Sequence, residues 1–365
     1  MKAGHLGPDM GYNRGYGLGR NGGPPGQVPL AQSIPSPTEV FHSFSAKLLS
    51  GNGLLVFVIM FLIGLPAMIF NSILKDHHDK LASSAGSIRK AMDRLEGWMN
   101  NLHGSVVLMI FAAIGGLLYA LDDQNFGLNL SSLAEILGFA GAIIISTSAT
   151  EVARGVYVHR RFSKIGDLKA YPLGLIMALG FDIFSRISHF EPGYVFGILA
   201  AVVFRARLTQ HEDGKSITLS YIWLFGVAIV SWIVWIPVKD AVIGGNHNFG
   251  VLVLDALLSS VWVCGLQSLF FGLIPIRTMD GGVVMKWSKP LWTVMFVLTT
   301  FIFVQFIIHP SAAGYGGNSH TSLVPLIAIF IVTAVASGVF YIFVKLKWGK
   351  MTQDSSTPPL DVVQQ

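Results

Sequence analysis

Charge is scarce in this chain: Asp, Glu, Lys and Arg make up 12% of its 365 residues. A typical soluble domain carries about 25%. So little charge excludes an ordinary soluble enzyme. It equally excludes a disordered protein, which needs high charge and low hydrophobicity. Cysteine is almost missing. The single one, Cys264, lies inside an apolar block, so no disulfide framework can form within the chain and cysteine usage does not report a compartment. Its expected role is a small packing residue. A cleavable leader is not expected either, because the first apolar block starts near Gly53, too far from Met1 for a signal sequence. The formal charge is +5 and the pI about 9.2. The basic residues sit at the ends of apolar blocks, where they act as topology signals, and nucleic acid is not an expected partner.

What the chain does have is hydrophobicity. Apolar residues reach 52% and the mean hydropathy is +0.59. They come in runs of roughly 20, the length that crosses a bilayer core. Nine blocks are legible, at about 53–74, 104–121, 131–150, 170–187, 192–206, 217–238, 249–275, 290–309 and 321–345. The fold class expected is all-α: a polytopic transmembrane helical bundle of eight or nine spans, with the lipid bilayer as its first partner. The Glu191-Pro192-Gly193 break makes 170–206 either two spans or a re-entrant hairpin. Residues 1–46, rich in Gly and Pro, and residues 351–365 read as disordered tails around a transmembrane domain at 47–350.

Basic residues alternate between loops. Loops 75–103, 151–169, 205–216 and 277–289 and the flank after 345 hold most of them, including Arg89, Arg160, Arg161, Lys215, Arg277 and Lys347. The loops between hold only Arg186 and Lys239. By the positive-inside rule the C-terminus lies in the cytosol of a cell membrane and the N-terminus outside. Within 75–103, Leu81, Ile88, Met92, Leu95 and Leu102 recur at helical spacing. They predict an amphipathic helix, lying on the cytosolic leaflet or packed on the bundle.

Two segments on the predicted cytosolic side carry chemistry. One ends the third block, Thr150-Glu151-Val152-Ala153-Arg154, followed by Val158-His159-Arg160-Arg161-Phe162. The other follows the seventh, Leu273-Ile274-Pro275-Ile276-Arg277-Thr278-Met279-Asp280-Gly281-Gly282. Read physically, the second is an apolar helix ended by proline, then an acid before two glycines that permit a tight turn. Such a carboxylate can ligate a metal, cap the next helix or pair with a cation.

The Pro-x-x-x-x-Asp-Gly pattern of Pro275 to Gly281 resembles a segment of the site-2 protease family of intramembrane zinc metalloproteases. The resemblance extends to Thr150–Arg154 with its Arg-rich sequel, and to Pro172-Leu173-Gly174. It implies that Asp280 stands at the third zinc ligand and Glu151 at the general base. Thr150 and Arg154 then stand where the family has the two histidines of its His-Glu-x-x-His motif. Neither can bind zinc usefully, since an arginine keeps its proton and a threonine hydroxyl is a poor donor. No metal or cofactor is therefore expected, and no catalytic residue. The chain is expected to be a non-enzymatic relative, a pseudoprotease serving as a binding or regulatory subunit for a transmembrane helix of another membrane protein. Its degenerate site comprises Thr150, Glu151, Arg154, Asp280 and Gly281, with the Arg154 guanidinium replacing the metal charge between Glu151 and Asp280. The regions Phe70-Asn71-Ser72 and Leu95-Glu96-Gly97-Trp98 also resemble bacterial multi-pass membrane proteins, a likeness that supplies no activity. Alternatives are a small-molecule or ion transporter using the membrane-buried Asp182, Arg186 and Asp255, and, less favoured, an active intramembrane metalloprotease with an unusual ligand set.

Overall fold

The computed structural model describes residues 102–121, 126–170, 200–276 and 279–308, residues 31 and 34–42, and isolated positions elsewhere. In chain order its elements are α1 (Pro37–His42), α2 (Gly104–Leu121), α3 (Leu130–Thr147), a π-helical turn (Ser148–Val152) and α4 (Ala153–Phe162). There follow β1 (Gly166–Ala170), β2 (Ala200–Phe204), α5 (Gln210–Ile243), α6 (Phe249–Gly272), α7 (Asp280–Trp287) and α8 (Lys289–Phe303), which ends in a second π-turn (Val304–Ile308).

The protein is mostly helical, and among the described residues five helices are long and apolar enough to cross a membrane: Gly104–Leu121, Leu130–Phe162, Gln210–Ile243, Phe249–Gly272 and Lys289–Ile307. The described residues support a helical membrane bundle and do not support the expected count of eight or nine spans. Blocks 53–74, 170–187 and 321–345, the helix expected over 75–103 and the tail 351–365 lie largely or wholly outside the described residues. Block 192–206 is a different case. Its described part, Ala200–Phe204, is a strand pairing antiparallel with Gly166–Ala170, Gly166 opposite Phe204. A short apolar run suits a buried helix or a strand equally, and periodicity cannot separate them. Here Val202 and Val203 favour the pleat. Asp167 clamps Arg205 beyond the last pair with two hydrogen bonds of 2.9 and 3.0 Å. The fold is therefore not purely α.

Helix starts are set locally. Asn129 caps α3 by accepting from the Ser132 amide at 2.8 Å. Thr209 and Glu212 form a reciprocal capping box on α5. The third block does not stop near residue 150 as its apolar run suggests. The helix runs on through the π-turn to Phe162 and ends at Ser163, whose φ of 55° is left-handed. Thirty-four residues make α5 about 51 Å long, beyond the ~30 Å hydrocarbon core, so its ends project past the apolar slab.

The bundle packs α2 on α3, α3 on α6 and α6 on α5. Hydrophobic burial does not drive helices together in lipid, and small residues let the backbones approach. At Gly138 of α3 a Cβ would lie 2.4 Å from the Ala256 Cβ of α6. At Gly265 of α6 one would lie 2.8 Å from the Ala228 Cβ of α5. Outer faces stay apolar, with Met109, Trp223, Val230 and Val294 exposed. The core gathers Leu224, Trp235, Trp262, Phe270, Phe296 and Phe303.

Residues 31 and 34–42, inside the stretch expected to be disordered, are ordered against this core, with Ala31, Ile34 and Val40 buried.

Replacing Gly138 by Leu forces α3 off α6. We expect it to cost roughly 2–3 kcal/mol in thermal or denaturant unfolding in detergent. Gly226→Leu meets nothing within 4 Å and is expected to stay within about 0.5 kcal/mol of wild type.

Candidate functional site

The π-turn carries Thr150 and Glu151. A π-turn inserts one extra residue into a helix and recurs at functional sites. Thr150 turns back on its own helix, its hydroxyl donating to the carbonyls of Ser146 and Thr147 at 3.2 and 3.0 Å. One turn on, Arg154 is the hub. Its Nη2 donates to Asp213 Oδ1 at 2.5 Å and its Nε to Ser216 Oγ at 3.4 Å. The guanidinium carbon lies 5.6 Å from the centroid of the Phe204 ring on β2, within cation–π range. The negative charges of Asp280, Glu151 and Asp213 all bear on it.

Asp280 opens α7. Its Oδ2 accepts from the Tyr221 hydroxyl of α5 at 2.9 Å. Burial pushes the Asp280 carboxyl above its ordinary value of 3.8, and the Arg154 charge and the Tyr221 hydrogen bond pull the other way. The chain reaches this point by a tight return. A Cβ on Gly281 would lie 2.3 Å from the Leu273 carbonyl carbon, so no larger residue fits where α7 folds back on the end of α6. Gly272 makes room for the tyrosine, since a Cβ there would sit 2.1 Å from the Tyr221 hydroxyl.

Outer contacts fix the frame. Lys164 pairs with Glu212 at 2.5 Å and donates to the Arg207 carbonyl at 3.0 Å. The Trp287 indole donates to His211 Nδ1 at 3.0 Å, and the Trp292 indole to the Leu273 carbonyl at 2.9 Å. These contacts tie the first turn of α5 to the α4–β1 connection and to α7, and α8 to the end of α6.

Of the residues singled out by sequence, Glu151, Arg154 and Asp280 share one electrostatic neighbourhood. Gly281 shapes the approach of Asp280, and Thr150 faces its own backbone. Asp182 and Arg186 lie outside the described residues. Asp255 lies elsewhere, on α6, buried and accepting from the Trp235 indole at 2.7 Å. Along α5, Trp235 is about 33 Å from Asp213. Sequence reasoning missed Asp213 and Ser216, having read 205–216 as a loop, and gave Tyr221 of the block 217–238 no role. The available signal was the Thr209-x-x-Glu212 capping box, which starts the helix early. Once the helix starts there, Asp213, Ser216 and Tyr221 fall at offsets of three and eight, on one face.

Among the described residues no group of three or more His, Cys, Asp or Glu is arranged to hold a metal ion. The described cluster instead presents three carboxylates to one fixed cation. Comparison of the chain with family models, with characterised proteins and with solved structures finds no match.

The Arg154–Asp213 contact predicts strong coupling. In a double-mutant cycle with Arg154→Ala and Asp213→Ala, each single change is expected to destabilise by about 3 kcal/mol. The pair should lose less than the sum, with a coupling of roughly 1–3 kcal/mol by denaturant titration.

Proposed function

We propose that the chain is a non-catalytic relative of the site-2 proteases, its zinc replaced by a guanidinium, acting as a membrane-embedded binding or regulatory subunit. The observation that carries this reading is that the charges of Glu151 and Asp280, remote in sequence, both act on Arg154, whose direct ion pair is with Asp213. In the family resemblance those two acids flank the metal. A side chain that holds its proton at every physiological pH supplies the balancing charge but no vacant coordination position and no acidic water. The scaffold keeps its electrostatic balance and loses hydrolysis.

The same end of the bundle is the basic end. Arg160, Arg161, Arg205, Arg207, Lys215 and Lys286 are exposed there, which favours a cytosolic setting with the C-terminus on that side. The partner is a transmembrane helix laid beside the π-turn, where Val152 is 51% exposed next to Glu151.

The test restores what was lost. A Thr150→His, Arg154→His double variant is expected to bind one zinc ion per chain by metal analysis of purified protein, and to lose it when Asp280→Ala is added. Absence of zinc in a folded double variant would refute the reading. A photo-crosslinker at Val152 is expected to capture a membrane helix in native membranes, whereas one at Val294, exposed on α8, captures none. Equal capture from both positions argues against a partner site.

A further inference from the structure

The other polar centre lies at the opposite end of α5. Asp255 of α6 is 1% exposed and Trp235 is wholly buried. The Trp235 indole donates to Asp255 Oδ1. Asp255 Oδ2 has no hydrogen-bond partner among the described residues. Buried polar atoms are nearly always satisfied, and one that is not calls for an explanation in function or in a bound species. An oxygen with no donor among the described residues, in a setting this apolar, suits the smallest ligand available, a proton carried as the carboxyl O–H.

The surroundings say what controls access. Trp232, Trp235 and Lys239 lie at i, i+3 and i+7 on one face of α5. The segment before α1 runs across that face. Trp232 donates its indole N–H to the Pro35 carbonyl at 3.0 Å, and Lys239 its ammonium to the Ile34 carbonyl at 3.2 Å. Ile34 is 1% exposed. Ser36 hydrogen-bonds Thr38 at 2.9 Å as the strap turns into α1. Lys239 also stands over the Trp235 ring, 4.9 Å from its centroid. One ammonium therefore joins the strap to the tryptophan that holds the carboxyl.

The charged groups on the elements around Asp255 are few. Lys239 of α5 acts on it directly. Glu135 is the buried carboxyl of α3, which packs on α6. The inward side of α8 supplies Phe296, Thr299, Thr300 and Phe303. The described strap side chains, Ala31, Ile34, Pro35, Ser36, Pro37, Thr38 and Val40, carry no titratable group.

We propose that Asp255 is a proton-binding site within the bundle, and that the strap at residues 34–42 is the lid that separates it from water. While Lys239 and Trp232 hold the strap, the carboxyl exchanges no proton with bulk solvent. When the strap lifts, Lys239 is released, the Trp235 edge is uncovered and Asp255 equilibrates. The proposal is independent of the Arg154 site and stands or falls without it.

Carbodiimides read both halves, because they couple to carboxyls in the protonated form. The full chain in lipid nanodiscs is treated with a membrane-permeant carbodiimide or with a water-soluble one, and the adduct at Asp255 is measured by peptide mass spectrometry, with Asp255→Asn as the blank. The permeant reagent is expected to label Asp255 in wild type. The water-soluble reagent is expected to label it about tenfold faster in Ile34→Asp, which expels the strap without touching α5, than in wild type. Lys239→Met with Trp232→Phe, which removes both strap donors, is expected to act likewise. Failure of the permeant reagent to label any form overturns the proton site. Equal labelling of wild type and both variants by the soluble reagent overturns the lid.

Discussion

Arginine is the one cation a protein cannot neutralise by releasing a proton. Once Arg154 is placed inside the bundle with 14% of its side chain exposed, the chain must bring anions to it. It does so from three elements: Glu151 from the π-turn, Asp213 from the first turn of α5 and Asp280 from the start of α7. Phe204 adds the face of a ring from β2. Asp213 and Phe204, from segments remote along the chain, contact the guanidinium directly, and Glu151 and Asp280 act on it through their charge. The dependence is mutual. Three carboxylates crowded together without the guanidinium repel one another, and burial already holds Asp280 against ionisation.

How much of this was legible follows from where hydrophobicity alone decides structure. Helices α2 and α6 match their apolar blocks closely, because a long uncharged run has no alternative to a helix in lipid. The five-residue stretch at Ala200–Phe204 was misread because brevity and β-branching carry the information there, and block length does not. The end of α3 was misread for the opposite reason. Arg154, His159, Arg160 and Arg161 make α4 polar, yet helical hydrogen bonding continues past the point where hydropathy stops. In the site, Asp280 before the glycine turn and Glu151 of the π-turn could be named from the resemblance. Asp213 could not, because its role depends on where α5 begins and on which helix lies alongside. The tail-like Pro-rich composition before residue 37 likewise concealed an Ile34 that is fully covered.

Polar chemistry is concentrated at the two ends of α5. At one end, charges meet in a network of direct hydrogen bonds. At the other, a single carboxyl sits among tryptophans and phenylalanines, with Trp232 stacked on Trp262 at 4.7 Å and Phe306 edge-on to both. Between them the helix presents small residues, such as Ala228 against Gly265, that bring α5 and α6 close. The two ends are thus free to serve separate purposes on one rigid rod.

The π-turn at Ser148–Val152 gives that rod its neighbour. A regular helix presents a given stripe to one companion along its whole length. A turn holding an extra residue advances the phase of everything after it by about 100°. Before the turn, the helix leans on α2 and α6; after it, on α5. A single surplus amino acid therefore works as a cam, swinging the lower half of a continuous segment toward a different companion. Excising one residue there would leave the hydrophobic content almost untouched and point the guanidinium away from all three of its acids.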